Sequence, residues 1–238
     1  MKAFGSTPYV EKGSSEYCGH LASNQENNIH WTILTAMRYE KHLDFHIDYN
    51  LDSSQDVYIR VALQLLNNSG WPLSSSDFNP KTITFGHCTR ITLFDLDEWF
   101  SLCKQVGNLP VFFIGLPTSD MFMMGREVNG FGVGERIRGT LQVSHMIKSF
   151  GLDGAISINN VGNAFTPHGS CDPLSLTSFC VGVYHAGTKA DAEILYVRLS
   201  SLNVIQANNP PAMCIYQGKD CDWCKPLQVI QWFFRYRN

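Results

Sequence analysis

Short stretches of strand length that are rich in apolar residues recur along the first two thirds of the chain. The clearest is 42–50, in which Leu43, Phe45 and Ile47 alternate with polar residues, as in a buried strand. Similar stretches lie at 81–88, 110–116 and 154–160, and residues 1–10 could be the end of an earlier strand. The pattern therefore predicts four strands, with part of a fifth before them.

Helical patterns with apolar residues three and four positions apart separate these strands. The first, capped by Asn24 or Asn28, has an apolar face of Ile29, Trp31, Ile33, Leu34 and Met37. The second, capped by Asp52 or Ser53, has Val57, Val61, Leu65 and Leu66. The third, at 93–106, has Leu96, Trp99, Phe100 and Cys103, with Gly107 as its stop. A fourth is predicted at 137–150, before Gly151, and a long one at about 173–203, broken near Gly187.

The order of these elements predicts an α/β fold with parallel strands. Polar residues stand where the strands end, namely His46, His87, Asn159 and Asn160. The strand ends recur every 29 to 44 residues, a spacing that suits a (β/α) barrel, whose eight units take about 250 residues. Only four or five units are present, so the prediction is a partial TIM-like barrel over residues 1–205. Residues 206–238 lack periodicity and read as an irregular tail, foreign to this fold.

Composition narrows the function classes. A net charge of -3 offers no electrostatic footprint for nucleic acid, and no apolar stretch approaches the roughly 18 residues of a membrane span. No signal core opens the chain, which predicts a cytoplasmic protein with eight reduced cysteines. Cys214, Cys221 and Cys224 could be three zinc ligands, although a fourth is missing. The glycine-rich segment 130–134 is better read as a loop than as a phosphate cradle.

Four segments together resemble the amidohydrolase superfamily. They are KHLDFHID at 41–48, TFGH at 84–87, LPTSDMFMMGR at 116–126, and the region from RGT at 138–140 to NNVGNAFTPHGSCDPL at 159–174. Within that superfamily they are most similar to the cytosine-deaminase branch and its fungal relatives. The resemblance covers residues 3–205 and implies about strands 4 or 5 to 8 of a metal-dependent hydrolase barrel.

The resemblance also implies a metal site. In the superfamily a zinc or iron ion is bound by an H-x-H pair on the first strand, a histidine ending the fifth strand and an aspartate ending the eighth. By motif position, His46 matches the fifth-strand ligand and Asn159 falls at the aspartate. An amide is a poorer ligand than a carboxylate, and the sequence contains no H-x-H pair. A bound metal would lower the pKa of water and make hydroxide available.

The expected catalytic residues are His87 and Asp48. His87 matches a sixth-strand histidine that helps to hold substrate or water in the superfamily. The proton-shuttling glutamate of cytosine deaminases falls on Tyr49, and Asp48 is the nearest carboxylate. Strand alternation should turn Asp48 to the same side as His46, and Tyr49 away. Asp120 could contact a ligand or shape a turn, while Asp172 before Pro173 is read mainly as a helix N-cap.

Three hypotheses follow from these observations. The first is a metal-dependent hydrolase acting on non-peptide carbon–nitrogen bonds, which would deaminate a nucleobase-like ring. The second is an inactive relative that lacks the H-x-H ligands. The third is a thiol or zinc-binding protein that uses the C-terminal cysteines. The first hypothesis is the one that the resemblance implies for the family. Its expected partners are a small-molecule substrate and a second copy of the chain. With ligands missing, we expect little turnover by this chain alone.

Overall fold

A computed structural model describes residues 3–10, 24–71, 81–125 and 137–198, with the backbone alone at 196–198. One parallel sheet of five strands runs through these residues, in the order in which the strands occur along the chain. The strands are β1 (Ala3–Ser6), β2 (His42–Ile47), β3 (Ile83–His87), β4 (Val111–Gly115) and β5 (Gly154–Ile156). The predicted strand positions and their parallel direction are confirmed, although β5 ends four residues before the predicted boundary.

Helices connect the strands in the manner of a partial (β/α) barrel. They are α1 (Asn24–Arg38), α2 (Tyr58–Asn68), α3 (Leu96–Val106), α4 (Pro117–Met123), α5 (Val143–Phe150), α6 (Pro173–Val183) and α7 (Lys189–Ala192). A short 3-10 helix spans Thr89–Leu93, and a π-helical segment spans Glu193–Arg198. Helix α1 packs on β1 and β2, and α5 packs on β4 and β5. The predicted α/β fold, a partial TIM-like barrel, is therefore confirmed.

Aromatic residues in register across three strands form the centre of the core. Phe45 pairs with Phe85, which pairs with Phe113. The rings of Phe45 and Phe85 are 5.9 Å apart, those of Phe85 and Phe113 are 6.1 Å apart, and all three residues are fully buried. Burying each ring contributes roughly 1.5–3 kcal/mol. This side of the sheet faces the helices, so the alternate residues, including His46, face the opposite side.

The predicted apolar faces of three helices are partly wrong. In α3, Leu96 is 66% exposed and Phe100 is 61% exposed. The buried positions of α3 are Trp99, Leu102 and Val106, which are spaced by three and four. In α1, Trp31 and Leu34 are about half exposed, and in α2 the buried residues are Ile59, Ala62, Leu63 and Leu66. A stretch rich in apolar residues supports more than one helical stripe, and tertiary packing selects among them.

Two segments between β4 and β5 also depart from the prediction. Residues 117–123, for which the sequence pattern predicts no helix, form α4, with Pro117 at its first turn, where proline is well tolerated. Residues 137–142, expected to be helical, are not, and α5 begins only at Val143. The hydroxyl of Thr140 donates to the carboxylate of Asp120 at 2.6 Å. This tertiary hydrogen bond holds the segment outside the helix.

The C-terminal part of the described chain agrees with the sequence. Asp172 caps α6 by accepting hydrogen bonds from the backbone N–H groups of Leu174 and Ser175, and the helical pattern is interrupted around Gly187. Cys88, Cys103, Cys171 and Cys180 form no disulfide. None of the helices in the described ranges is long and apolar enough to span a membrane. The glycine-rich segment 130–134, the tail 206–238 and Cys214, Cys221 and Cys224 lie outside the described residues.

Helix α2 is capped by a residue that lies ten positions before it. The prediction of a cap from Asp52 or Ser53 is wrong, since the N-cap position is Val57, which offers no side-chain acceptor. Instead, the two carboxylate oxygens of Asp48 accept hydrogen bonds from the backbone N–H groups of Tyr58 and Ile59, each at 2.9 Å. Asp48 therefore joins the end of β2 to the start of α2.

Replacing Asp48 with alanine should lower the free energy of unfolding by about 1–3 kcal/mol, because two helix N–H groups would lose their acceptor. The matched control is Asp52→Ala, since Asp52 is exposed and bonds only within its own turn. Urea unfolding followed by circular dichroism measures both changes. Equal losses for the two variants would contradict the capping role of Asp48.

Candidate functional site

Two histidines lie at the C-terminal ends of adjacent parallel strands. His46 pairs with Gly86 and Ile47 pairs with His87 in the register of β2 and β3. The imidazole rings of His46 and His87 are 5.0 Å apart, at an interplanar angle of 69°. The sequence analysis places both residues where parallel strands end, and this common position at one end of the sheet is confirmed. Their chemical roles, His46 as a metal ligand and His87 as a catalytic residue, stay predictions.

A buried carboxylate holds His87. Asp120, in α4, is fully buried, and its Oδ1 lies 2.7 Å from Nδ1 of His87. Its Oδ2 accepts the hydrogen bond from the hydroxyl of Thr140 at 2.6 Å. These contacts connect the end of β3, the helix after β4 and the segment before α5. Of the two interpretations of Asp120, the one as a turn residue alone is too narrow, because the carboxylate belongs to the histidine cluster.

The expected directions of Asp48 and Tyr49 are reversed. Asp48 has a positive φ of 52°, which ends the extended backbone and breaks the alternation of a strand. The side chain of Asp48 consequently turns to the start of α2, and the ring of Tyr49 comes within 4.1 Å of the His87 ring. The catalytic role of Asp48 stays a prediction, and its carboxylate serves here as a helix cap.

Burial controls the electrostatics of the cluster. It lowers the pKa of His46 to about 4, with His87 adding to the effect and Asp44 opposing it. Burial also raises the pKa of the Tyr49 hydroxyl above its usual range, and the charge of Asp120 acts in the same direction. At neutral pH the site therefore presents a neutral imidazole at His46 and a protonated phenol at Tyr49.

The described residues do not assemble a metal site. Within 3–10, 24–71, 81–125 and 137–198, no group of three or more His, Cys, Asp or Glu side chains could hold a metal ion. Asn159 lies three residues beyond the end of β5, and an amide is a weak ligand for a divalent transition metal. The candidate ligands that meet at the strand ends are the two imidazoles of His46 and His87. The donor set in this part of the chain therefore does not fit the zinc or iron ion expected from the resemblance.

Solved structures share this architecture. The chain is similar to 5-methylcytosine deaminase from Klebsiella pneumoniae liganded with 5-fluorocytosine, with a TM-score of 0.64 and 16% identity. The same enzyme liganded with phosphonocytosine gives a TM-score of 0.63 and 18% identity. Each match covers 82% of this chain and 42% of the deaminase, so the chain spans less than half of the enzyme's length. At this identity the likeness shows the fold. No family model matches the sequence, and no curated protein matches it either.

Sequence reasoning missed Tyr49 and Thr140 as members of the cluster. Tyr49 directly follows Asp48, whose left-handed backbone ends the strand. Strand alternation alone does not reveal that Asp48 breaks the extended backbone. Aspartate is among the residues that adopt this conformation most readily, so Asp48 was a candidate for the break. The contact of Thr140 with Asp120 carried no sequence signal, because it spans 20 residues.

The lowered pKa of His46 predicts a pH dependence of stability. Since the folded state binds this proton less readily than the unfolded chain, whose histidine pKa is about 6.5, stability should fall as pH drops through 6.5 toward 4. Between pH 7 and 4.5 the loss should be on the order of 2 kcal/mol. Urea unfolding of the protein and of His46→Gln at both pH values isolates this contribution.

The difference between the two proteins is the quantity to compare, because Asp48 acts in the opposite direction. Burial raises the pKa of Asp48 to about 6, so its contribution to stability improves as pH falls through that value. This contribution is common to the wild-type protein and the His46→Gln variant and cancels in the comparison. Equal pH dependences in the two proteins would contradict the assignment to His46.

Proposed function

We propose that this chain carries part of an amidohydrolase-type site that hydrolyses a non-peptide carbon–nitrogen bond of a cytosine-like ring. The observation that carries the proposal is the meeting of His46 and His87 at adjacent strand ends, 5.0 Å apart, with His87 bonded to buried Asp120. The likeness of the fold to a pyrimidine deaminase supports the choice of ring. The substrate and the activity are proposals for this chain.

The side chains of the cluster suggest which groups would transfer protons in this reaction. In such a hydrolysis water adds to the ring carbon, a carbon–oxygen bond forms, the carbon–nitrogen bond breaks and ammonia leaves. The two protons of the water go to the adjacent ring nitrogen and to the departing nitrogen, and His87, when neutral, can accept each of them from the attacking oxygen and pass it on. Tyr49 keeps its phenolic proton and can donate a hydrogen bond to a ring oxygen or nitrogen. The neutral imidazole of His46 offers a lone pair to the same space.

A second candidate is a pyrimidine-binding protein of the same fold without catalysis. Two observations favour it: the described residues gather no metal site, and Asn159 stands where the resemblance expects an aspartate. Both candidates predict ring binding, and only the first predicts the release of ammonia. The two are therefore separated by measuring binding and turnover on the same sample.

Binding is tested by nuclear magnetic resonance titration of the purified protein with 5-fluorocytosine. We expect shifts of the His46, His87 and Tyr49 ring signals, and a loss of affinity of about tenfold or more in His87→Gln, because a group that meets the ring is removed. The matched control is His145→Gln, whose ring is exposed on α5 and bonds Ser149. An absence of site shifts, or equal losses in the two variants, would refute ring binding at this site.

Turnover is tested with cytosine and 5-methylcytosine in the presence of added zinc or ferrous ion, by measuring released ammonia. The hydrolase predicts ammonia release above the level of a His46→Gln sample, and the binding protein predicts release at that level. From the donor set of the described residues we expect metal well below one equivalent after gel filtration. Stoichiometric metal together with ammonia release that depends on His46 would select the hydrolase. Ring binding without turnover would select the binding protein.

A further inference from the structure

The contact between Asp120 and His87 determines which ring nitrogen of His87 carries the proton, as well as where the ring lies. A carboxylate has no hydrogen to donate, so at the 2.7 Å contact the Nδ1 atom of His87 must be the donor. In a neutral imidazole the other ring nitrogen then has no hydrogen. The Nε2 atom of His87 is consequently an acceptor, as a residue that takes a proton from water requires.

The surroundings of His87 restrict the orientation of its imidazole ring. His87 is only 3% exposed, and its ring lies 4.1 Å from the Tyr49 ring and 5.0 Å from the His46 ring. The carboxylate of Asp120 is in turn held by the hydroxyl of Thr140 at 2.6 Å. Three separate segments of the chain thus surround the hydrogen bond between His87 and Asp120.

We propose that Asp120 is a positioning residue for His87, which holds the imidazole in the tautomer protonated on Nδ1, with Thr140 orienting the carboxylate. The significance of this arrangement for catalysis rests on the proposed function, but the tautomer is a property of the free protein. It can therefore be measured without metal, pyrimidine or turnover. A failure of the hydrolase proposal would leave this result unaffected, and the reverse also holds.

The substitution Asp120→Asn tests the proposed tautomer directly. With the Thr140 hydroxyl still donating to the side-chain oxygen, the amide NH2 group would face Nδ1 of His87. The NH2 group can only donate, so Nδ1 would become the acceptor and the imidazole proton would move to Nε2. The same substitution in the Ser-His-Asp triad preserves the geometry and produces the wrong tautomer. A residue that serves only to fill space would not produce this reversal.

The experiment records long-range proton–nitrogen correlation spectra of the protein labelled with 15N-histidine, at a pH where imidazole is neutral. The His87 signals are assigned by their loss in His87→Gln. We expect mainly Nδ1–H in the wild type, mainly Nε2–H in Asp120→Asn, and Nδ1–H in Thr140→Val, which keeps the carboxylate. The matched control is Asp191→Asn, a buried carboxylate that bonds Lys148 and Thr188, and it should leave the His87 spectrum unchanged.

Two results would overturn the proposal. One is a wild-type protein in which His87 is protonated on Nε2, and the other is a folded Asp120→Asn protein that retains the Nδ1–H tautomer. Backbone amide spectra establish whether each variant is folded. If Asp120→Asn does not fold, the wild-type and Thr140→Val spectra still decide, since both must show Nδ1–H.

Discussion

The site depends on a backbone constraint that two neighbouring strands share. Asp48 and His87, where β2 and β3 end, both have left-handed backbones, with φ of 52° and 64°. Such a conformation costs a non-glycine residue about 1–2 kcal/mol, so the surroundings must hold it. At Asp48 they do so through its carbonyl oxygen, which accepts hydrogen bonds from the backbone N–H groups of Asn50 and Arg90. The constraint turns the chain sharply and brings Tyr49 against His87.

Much of the fold could be predicted from the sequence because a parallel sheet covered by helices requires a recognisable repeat. The apolar residues of β2, β3 and β4 and the polar residues at the ends of β2 and β3 reflect that requirement directly. The helix faces were less predictable, since α1 and α3 carry apolar residues on more than one side. Leu96 and Phe100 are exposed in the described structure even though their spacing suits a buried stripe, so spacing alone could not select the face.

The site was half predictable for a physical reason. His46 lies in a regular strand, where alternation and parallel direction determine which side a residue occupies. His87 is in register with Ile47, and it brings its ring to His46 from a left-handed backbone. Tyr49 and Thr140 lie in irregular backbone, where neither rule applies. Asp48 shows the difference most clearly, because a single left-handed residue moves its carboxylate from the expected catalytic position to the start of α2.

The charges of the cluster are compatible with the uncharged ring that is proposed as the ligand. Burial lowers the pKa of His46 to about 4, so His46 is neutral at physiological pH. The carboxylate of Asp120 already satisfies both of its oxygens with His87 and Thr140, which leaves it little capacity to pair with a cation. A buried ion without a partner costs several kcal/mol. A neutral ring with its own donors and acceptors avoids that cost and can bond to an imidazole and a phenol at once.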